Sequence, residues 1–221
     1  MGTMQRYQPP IIALALSLAA LAGFVDALAY SSLGGFFASF MSGNSTRLGV
    51  AFADARYDDV RMAGALILSF VAGAMVATVI SRRWRQQPQA AVMIAVTVLL
   101  AAAAMLARLY PGSQALLLLA VAMGAECVVG IGATSMTVTL VRMGQTLAGA
   151  LMGDADRWAW LRHLLLWSGF LLGVVTGARC HGAFGAGALW LATGAAGVVA
   201  IAIATVGNGG RKPGPWGPHA V

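Results

Sequence analysis

Apolar stretches long enough to cross a lipid bilayer make up most of this sequence, and short polar links separate them. The six clearest candidates cover residues 11–31, 62–80, 90–109, 113–133, 160–178 and 183–206. A transmembrane helix needs about 17–25 apolar residues, which each of these stretches supplies. Only 10% of the 221 residues are charged, whereas a soluble domain carries about 25%. We therefore predict an all-α membrane bundle of six transmembrane helices.

The first stretch allows a second interpretation as a secretory signal peptide. Arg6 precedes it, and the residues at 27–29 spell a small-residue cleavage site. We favour a first membrane helix, because Asp26 would lie beside the cut and further apolar stretches follow.

The distribution of arginines predicts how the helices are oriented. Arg82, Arg83 and Arg85 lie together in the short link between the second and third stretches. Basic residues concentrate in cytoplasmic links, so this link is expected inside the cell. With six spans, both termini then also lie in the cytoplasm. Residues 1–10 form the N-terminal end, and the Gly- and Pro-rich residues 207–221 are expected to form a disordered tail.

One nine-residue phrase occurs twice in the chain. It reads MSGNSTRLG at 41–49 and MTVTLVRMG at 136–144. Both copies begin with Met, carry a hydroxyl residue second, place Arg seventh and end in Gly. Two further pairs of segments match at a similar offset: FVAGAM with FLLGVV, and GFVDA with GAECV. The matches predict an internal repeat; chance similarity in an apolar sequence is the alternative.

The repeat has a topological consequence. Residues 11–109 and 113–206 each hold three spans, so the second half enters the membrane from the opposite side. Inverted repeats of this kind are common in secondary transporters, where the binding site lies at the repeat interface. Segments 36–53 and 137–151 contain the repeated phrase. We expect them to be re-entrant, because counting them as spans would place the triple-arginine link outside; amphipathic surface helices are the alternative.

Two acidic residues, Asp26 and Glu126, lie inside apolar stretches. A carboxylate at mid-bilayer costs about 2.5–3.5 kcal/mol, so such a residue usually faces the bundle interior and marks a pathway. We predict that Asp26, and less surely Glu126, binds a cation or a proton. The alternative is a structural acid, near the interface or paired with Arg47 or Arg142.

Hydroxyl and amide side chains of the repeated phrases complete the candidate site, although serine and threonine often bond only to helix carbonyls. The candidate residues for binding a substrate or ion are Asp26, Ser42, Asn44, Thr46, Glu126, Thr137 and Thr139. No cofactor or metal site is expected, because the two cysteines and three histidines do not cluster in the sequence. No catalytic motif is present, so we do not expect an enzyme. The net charge of +7 is spread between the apolar stretches, which argues against a nucleic-acid partner.

Several phrases resemble a known family. The stretch GFVDALAYSSLGGFFASFMSGNSTRLG at 23–49, with AMGAECVVG and TLVRMG further on, is similar to the YoaK-like family of small bacterial membrane proteins. In that family a GFVDA segment leads to an F-M-T-G-N phrase, and a G-x-Q-N segment leads to T-G-T-L. Here Glu126 and Cys127 replace the Gln-Asn pair, and Val138 replaces Gly. The resemblance implies a bacterial inner-membrane protein with a domain of unknown function, and it transfers no substrate.

These observations favour a small-solute transporter with a polar site at the repeat interface, with proton coupling through the intramembrane acids. The alternative is a membrane scaffold or sensor subunit whose acids are structural. The expected partners are the lipid bilayer and an unknown small solute, and six short spans are compatible with a homodimer.

Overall fold

The computed structural model describes residues 9–32, 34–110, 114–130, 135–153 and 157–208. Within these ranges the chain is helical, with no strand. The helices are α1 (Pro9–Ser32), α2 (Met41–Ala53), α3 (Tyr57–Arg83), α4 (Pro88–Leu109), α5 (Gln114–Cys127), α6 (Met136–Leu151), α7 (Ala159–Phe184) and α8 (Leu189–Asn208), with a 3-10 turn at Gly185–Ala188. The all-α prediction is therefore confirmed for the described ranges. Most of the predicted N-terminal end and nearly all of the predicted tail lie outside them.

Four helical stretches of the described chain are long and apolar enough to cross a membrane. They are Ile11–Ser32, Tyr57–Arg83, Pro88–Leu109 and Ala159–Val206. The last has 48 residues and contains both α7 and α8. Gly185, with φ 53° and ψ −131°, ends α7 in a positive-φ conformation that glycine adopts readily and other residues rarely do. The structure thus supports a multi-pass helical protein, but with four candidate stretches instead of the six predicted.

The predicted fourth span, 113–133, is shorter than expected as a helix. α5 has 14 residues and ends at Cys127. At 1.5 Å per residue it is about 21 Å long, less than the ~30 Å hydrocarbon core. Beyond it the chain turns, with the Val129 N–H bonded to the Glu126 carbonyl and Gly130 at a φ of 73°. Residues 131–134 lie outside the described ranges.

The two segments that carry the repeated phrase form separate short helices. α2 has 13 residues and α6 has 16, so neither is long enough to cross a bilayer alone. α2 packs on α3, and α6 packs on α7.

The other six helices pack in matching pairs. α1 packs along α7, and its counterpart α5 packs along α3, the counterpart of α7. In the same way α8 contacts α1, and α4 contacts α5. α4 and α8, which are counterparts of each other, pack together. Exchanging α1–α4 with α5–α8 reproduces most of the contacts, including those of α2 and α6; the exception is the contact of α3 with α4, since α7 contacts the 3-10 turn before α8.

Glycines make the closest of these crossings possible. At five of the described glycines a β-carbon would overlap a backbone carbonyl oxygen of the facing helix. The contacts are Gly23 with Phe170, Gly124 with Phe70, Gly73 with Val121, Gly173 with Ala20, and Gly177 with Phe24. Small residues of this kind let transmembrane helices approach closely, and the first two contacts are counterparts in the repeat that the sequence suggested.

The outer surface of the bundle is apolar, as expected of a lipid-facing surface. On α3, Leu68 is 71% exposed, Met75 66% and Val79 67%. A soluble protein rarely exposes a continuous patch of this kind, so it marks contact with a membrane or a partner. Exposed charges lie at both ends of α3, among them Arg82, Arg83 and Arg85 in the link beyond it.

Candidate functional site

A cavity of about 780 Å³ lies among α1, α5, α6, α7 and the segment that enters α2. Its walls are mainly apolar side chains from α1 and α7, such as Leu18, Phe170 and Val174. The polar lining consists of two carboxylic acids, four serines, one tyrosine and one cysteine: Asp26, Glu126, Ser31, Ser39, Ser42, Ser135, Tyr30 and Cys127. No lysine, arginine or histidine of the described chain lines this cavity.

Asp26 holds the segment between α1 and α2 in place. Its Oδ1 accepts hydrogen bonds from the Ala38 N–H at 2.9 Å and the Ser39 N–H at 2.7 Å. Its Oδ2 accepts a bond from the Ser39 hydroxyl at 2.6 Å. Bonds to a charged acceptor are about twice as strong as neutral ones. The carboxylate, which is only 4% exposed, thus anchors a loop that lines the cavity.

Asn44 fixes the same loop from the other side. Its Oδ1 accepts from the Phe37 N–H at 3.0 Å, and its Nδ2 donates to the Phe37 carbonyl at 2.7 Å. The residue is fully buried and does not line the cavity. An asparagine amide supplies the separate acceptor and donor atoms that this pair of bonds uses.

Arg47 completes the loop anchor. Its guanidinium donates to the carbonyls of Gly35 at 2.8 Å and Gly34 at 3.2 Å, and it lies 4.1 Å from the centre of the Phe36 ring. Gly34 and Gly35 have φ values of 63° and 101°, a conformation that other residues rarely adopt. Arg47 therefore contacts loop carbonyls and forms no ion pair with Asp26.

Glu126 has no comparable partners. It is 6% exposed at the end of α5 and lines the cavity. Its carboxyl group accepts no hydrogen bond from the described residues, and its oxygens are open to the cavity instead of being sealed in the protein interior. A buried carboxyl group without a protein donor is costly unless a proton or a cation neutralises it. Of the two acids that line the cavity, Glu126 is therefore the one without a hydrogen-bond donor among the described residues.

The remaining candidates divide into one cavity residue and three that lie elsewhere. Ser42 lines the cavity. The Thr46 hydroxyl donates to the Ser42 carbonyl at 3.1 Å, and Thr137 is exposed away from the cavity. Thr139 is 1% exposed, and its hydroxyl donates to the Ser135 carbonyl at 3.4 Å.

The two repeated phrases nevertheless meet at the cavity. Met41 and Met136, the first residue of each phrase, both line it. The phrases therefore approach the cavity by their helix starts, and Asn44 and Thr139 are the residues within them that are buried against neighbouring protein.

Sequence reasoning missed several residues of the site. Ser39 binds Asp26, and the rings of Tyr30, Phe37 and Phe40 line the cavity beside it. Cys127 also lines the cavity. When the two halves are aligned with Gly23 opposite Gly124, Cys127 is the residue of the second half that matches Asp26 of the first. The glycine pair before FFASF was the available signal, since a loop of that composition between two helices suggests a functional turn.

Comparisons with known proteins agree with this architecture. A family model described as "Protein of unknown function (DUF1275)" matches residues 14–202. A UPF0700 transmembrane protein of Rhizobium meliloti (strain 1021) is 36% identical over 189 residues, which cover 81% of this chain and 80% of that protein. No solved structure matches. The predicted membership of a family of membrane proteins of unknown function is thus confirmed, and so is the multi-pass membrane character: this chain belongs to the DUF1275 family.

Proposed function

We propose that this protein is a small-solute transporter whose binding site is the cavity between two inverted repeats. The observation that carries the proposal is Glu126, a buried carboxyl group that faces a cavity of about 780 Å³ and receives no hydrogen bond from the described residues. Intramembrane acids that face a cavity are typical of substrate pathways and proton relays.

The matching helix contacts support the two-repeat part of the proposal. Most contacts within and between α1–α4 and α5–α8 have a counterpart under the exchange, and the crossings at Gly23 and Gly124 and at Gly73 and Gly173 are reciprocal. In each repeat three helices provide the crossings, and α2 or α6 is the short re-entrant segment; α5, at about 21 Å, covers only part of the hydrocarbon core as a helix, and the chain that follows it completes that crossing. With six crossings in total, the repeats have opposite orientations, as in many secondary transporters.

Glu126 is the proposed site of proton coupling. A charged carboxylate surrounded by apolar side chains is unfavourable, so the group holds either a proton or a cationic cargo, and one displaces the other. Asp26 takes no part in this exchange, because the loop donors from Ala38 and Ser39 already occupy both of its oxygens.

The alternative function is that of a membrane scaffold or sensor subunit. One observation favours it: Asp26, Asn44 and Arg47 all bind the backbone of the same loop. The polar phrase of the first repeat thus has a complete structural role that requires no cargo.

A flux assay separates the two functions. Purified protein is reconstituted into liposomes with an imposed proton gradient, and uptake is measured for panels of small cationic, neutral and anionic solutes. We expect gradient-driven uptake of at least one panel, abolished by Glu126→Gln and retained by Thr46→Ala, which alters a hydroxyl away from the cavity. Uptake no greater than that of protein-free liposomes for every panel would support the scaffold function.

A further inference from the structure

We propose that the cavity binds an organic cation with an apolar body, such as an amine or a quaternary ammonium ion, and that Glu126 is its counter-charge. This inference rests on the proposed function, whose substrate class it names. Three properties of the cavity carry it: its charge, its aromatic wall and its shortage of metal-ligating oxygens.

The charge of the cavity selects a cation. The ionisable groups on its lining are Asp26 and Tyr30 from α1 and Glu126 and Cys127 from α5; α6, α7 and the loop before α2 contribute none among the described residues. Asp26 is satisfied by three loop donors. Glu126 accepts no hydrogen bond from the described residues. An anionic ligand would lie beside two carboxyl groups, and no basic side chain of the described chain lines the cavity to offset them.

The aromatic wall suits an organic cation. The rings of Tyr30 and Phe37 have centroids 5.3 Å apart, and those of Phe37 and Phe40 lie 5.2 Å apart in an edge-to-face arrangement. All three rings line the cavity. Aromatic faces attract ammonium groups, and clusters of such rings recognise quaternary amines. The loop that Asp26 and Asn44 hold in place supplies two of the three rings.

An inorganic cation is a poorer match to the same lining. Ca²⁺ needs 6–8 oxygen ligands, and Mg²⁺ needs a near-ideal octahedron. The described residues contain no cluster of three side chains able to hold a metal ion. The Ser39 hydroxyl already donates to Asp26, and most of the wall is apolar. The volume of about 780 Å³ matches cavities of roughly 300–1,000 Å³ that hold organic ligands.

A native cysteine allows a direct test. Cys127 is exposed and lines the cavity, whereas Cys180 on α7 does not line it. In a Cys180→Ala background the rate at which N-ethylmaleimide, a neutral reagent, alkylates Cys127 is measured in detergent. We expect tetraphenylphosphonium, or the smaller benzyltrimethylammonium, to slow alkylation. Tetraphenylborate, which has the shape of the first probe and the opposite charge, should not.

The counter-charge is tested by Glu126→Gln in the same background. We expect protection by the cations to require about tenfold higher concentration or more, because a charge-assisted interaction is lost. An unchanged thermal midpoint shows that the variant is folded, and Glu126→Asp should keep the preference for cations. Protection by neither cation, equal protection by tetraphenylborate, or protection unaffected by Glu126→Gln would overturn the inference.

The results also separate this inference from the proposed function. Protection by cations without flux in liposomes would refute transport and leave the cation site intact. Flux of neutral or anionic solutes without protection by either cation would refute the cation site and leave transport intact.

Discussion

Asp26 and Glu126 line the same cavity, but they meet different partners. Asp26 accepts three hydrogen bonds from the loop residues Ala38 and Ser39, and Glu126 accepts none from the described chain. A buried carboxylate saturated by donors stabilises the fold, whereas one facing open volume is available for a ligand or a proton. The sequence ranked Asp26 first as the functional acid, and the contacts favour Glu126 for that role.

Stability measurements on variants of the two acids should show this difference. Asp26→Ala leaves the N–H groups of Ala38 and Ser39 buried or half-buried without an acceptor, so we expect the free energy of unfolding to fall by about 3 kcal/mol or more. Glu126→Gln removes no hydrogen bond within the described chain, so the change should be below about 1 kcal/mol. Unfolding in detergent provides the comparison. Equal losses of stability would contradict the assignment of roles.

At the scale of helices, backbone contact at glycine determines how α3 meets α5 and how α1 meets α7. Gly73 and Gly124 each face a carbonyl of the partner helix, and Gly173 and Gly23 do the same across the other pair. Because backbone atoms lie on both sides of each crossing, a side chain cannot be accommodated by a change of rotamer. The helices would have to separate, which would also displace the cavity walls on α1 and α7.

Two glycines on α3 provide a matched test of this packing. A β-carbon at Gly73 would overlap the backbone of Val121, whereas one at Gly64 would meet nothing within 4 Å. We expect Gly73→Ala to lower the free energy of unfolding by about 1–3 kcal/mol. Gly64→Ala should raise it by up to about 1 kcal/mol, because alanine favours the helix. Unfolding of both variants in the same detergent gives the comparison, and similar effects would show that the crossing does not depend on glycine.

Sequence patterns predicted the helices better than they predicted the site. Length and hydropathy located α1, α3, α4, α7 and α8, because lipid imposes both requirements on any spanning helix. The matches of Gly23 with Gly124 and of FVAGAM with FLLGVV anticipated the reciprocal crossings. The partners of Asp26 could not be predicted, since they include backbone N–H groups, which every residue except proline carries. The end of α5 at Cys127 was also missed, because the residues that follow are as apolar as the helix itself.

At the scale of the whole molecule, the proposed inverted repeats place the cavity between two units of opposite orientation. α1 and α7 come from different repeats, and both contribute its walls. Glu126 comes from the second repeat, and the aromatic loop comes from the first. A relative movement of the repeats would therefore change the surroundings of the carboxyl group, which is what alternating access between the two sides of a membrane requires.

The orientation of the chain across the membrane can be measured, and it tests the six-span topology directly. Six crossings with cytoplasmic termini place the α3–α4 link inside the cell and the turn between α7 and α8 outside. Single cysteines at Gln86→Cys and Ala186→Cys, both at exposed positions, are introduced after Cys127 and Cys180 are replaced by alanine. A membrane-impermeant maleimide should label position 186 in intact spheroplasts. Position 86 should react only after permeabilisation, because Arg82, Arg83 and Arg85 keep that link in the cytoplasm. Labelling of both positions from outside would exclude the six-span topology and, with it, the proposed inverted repeat.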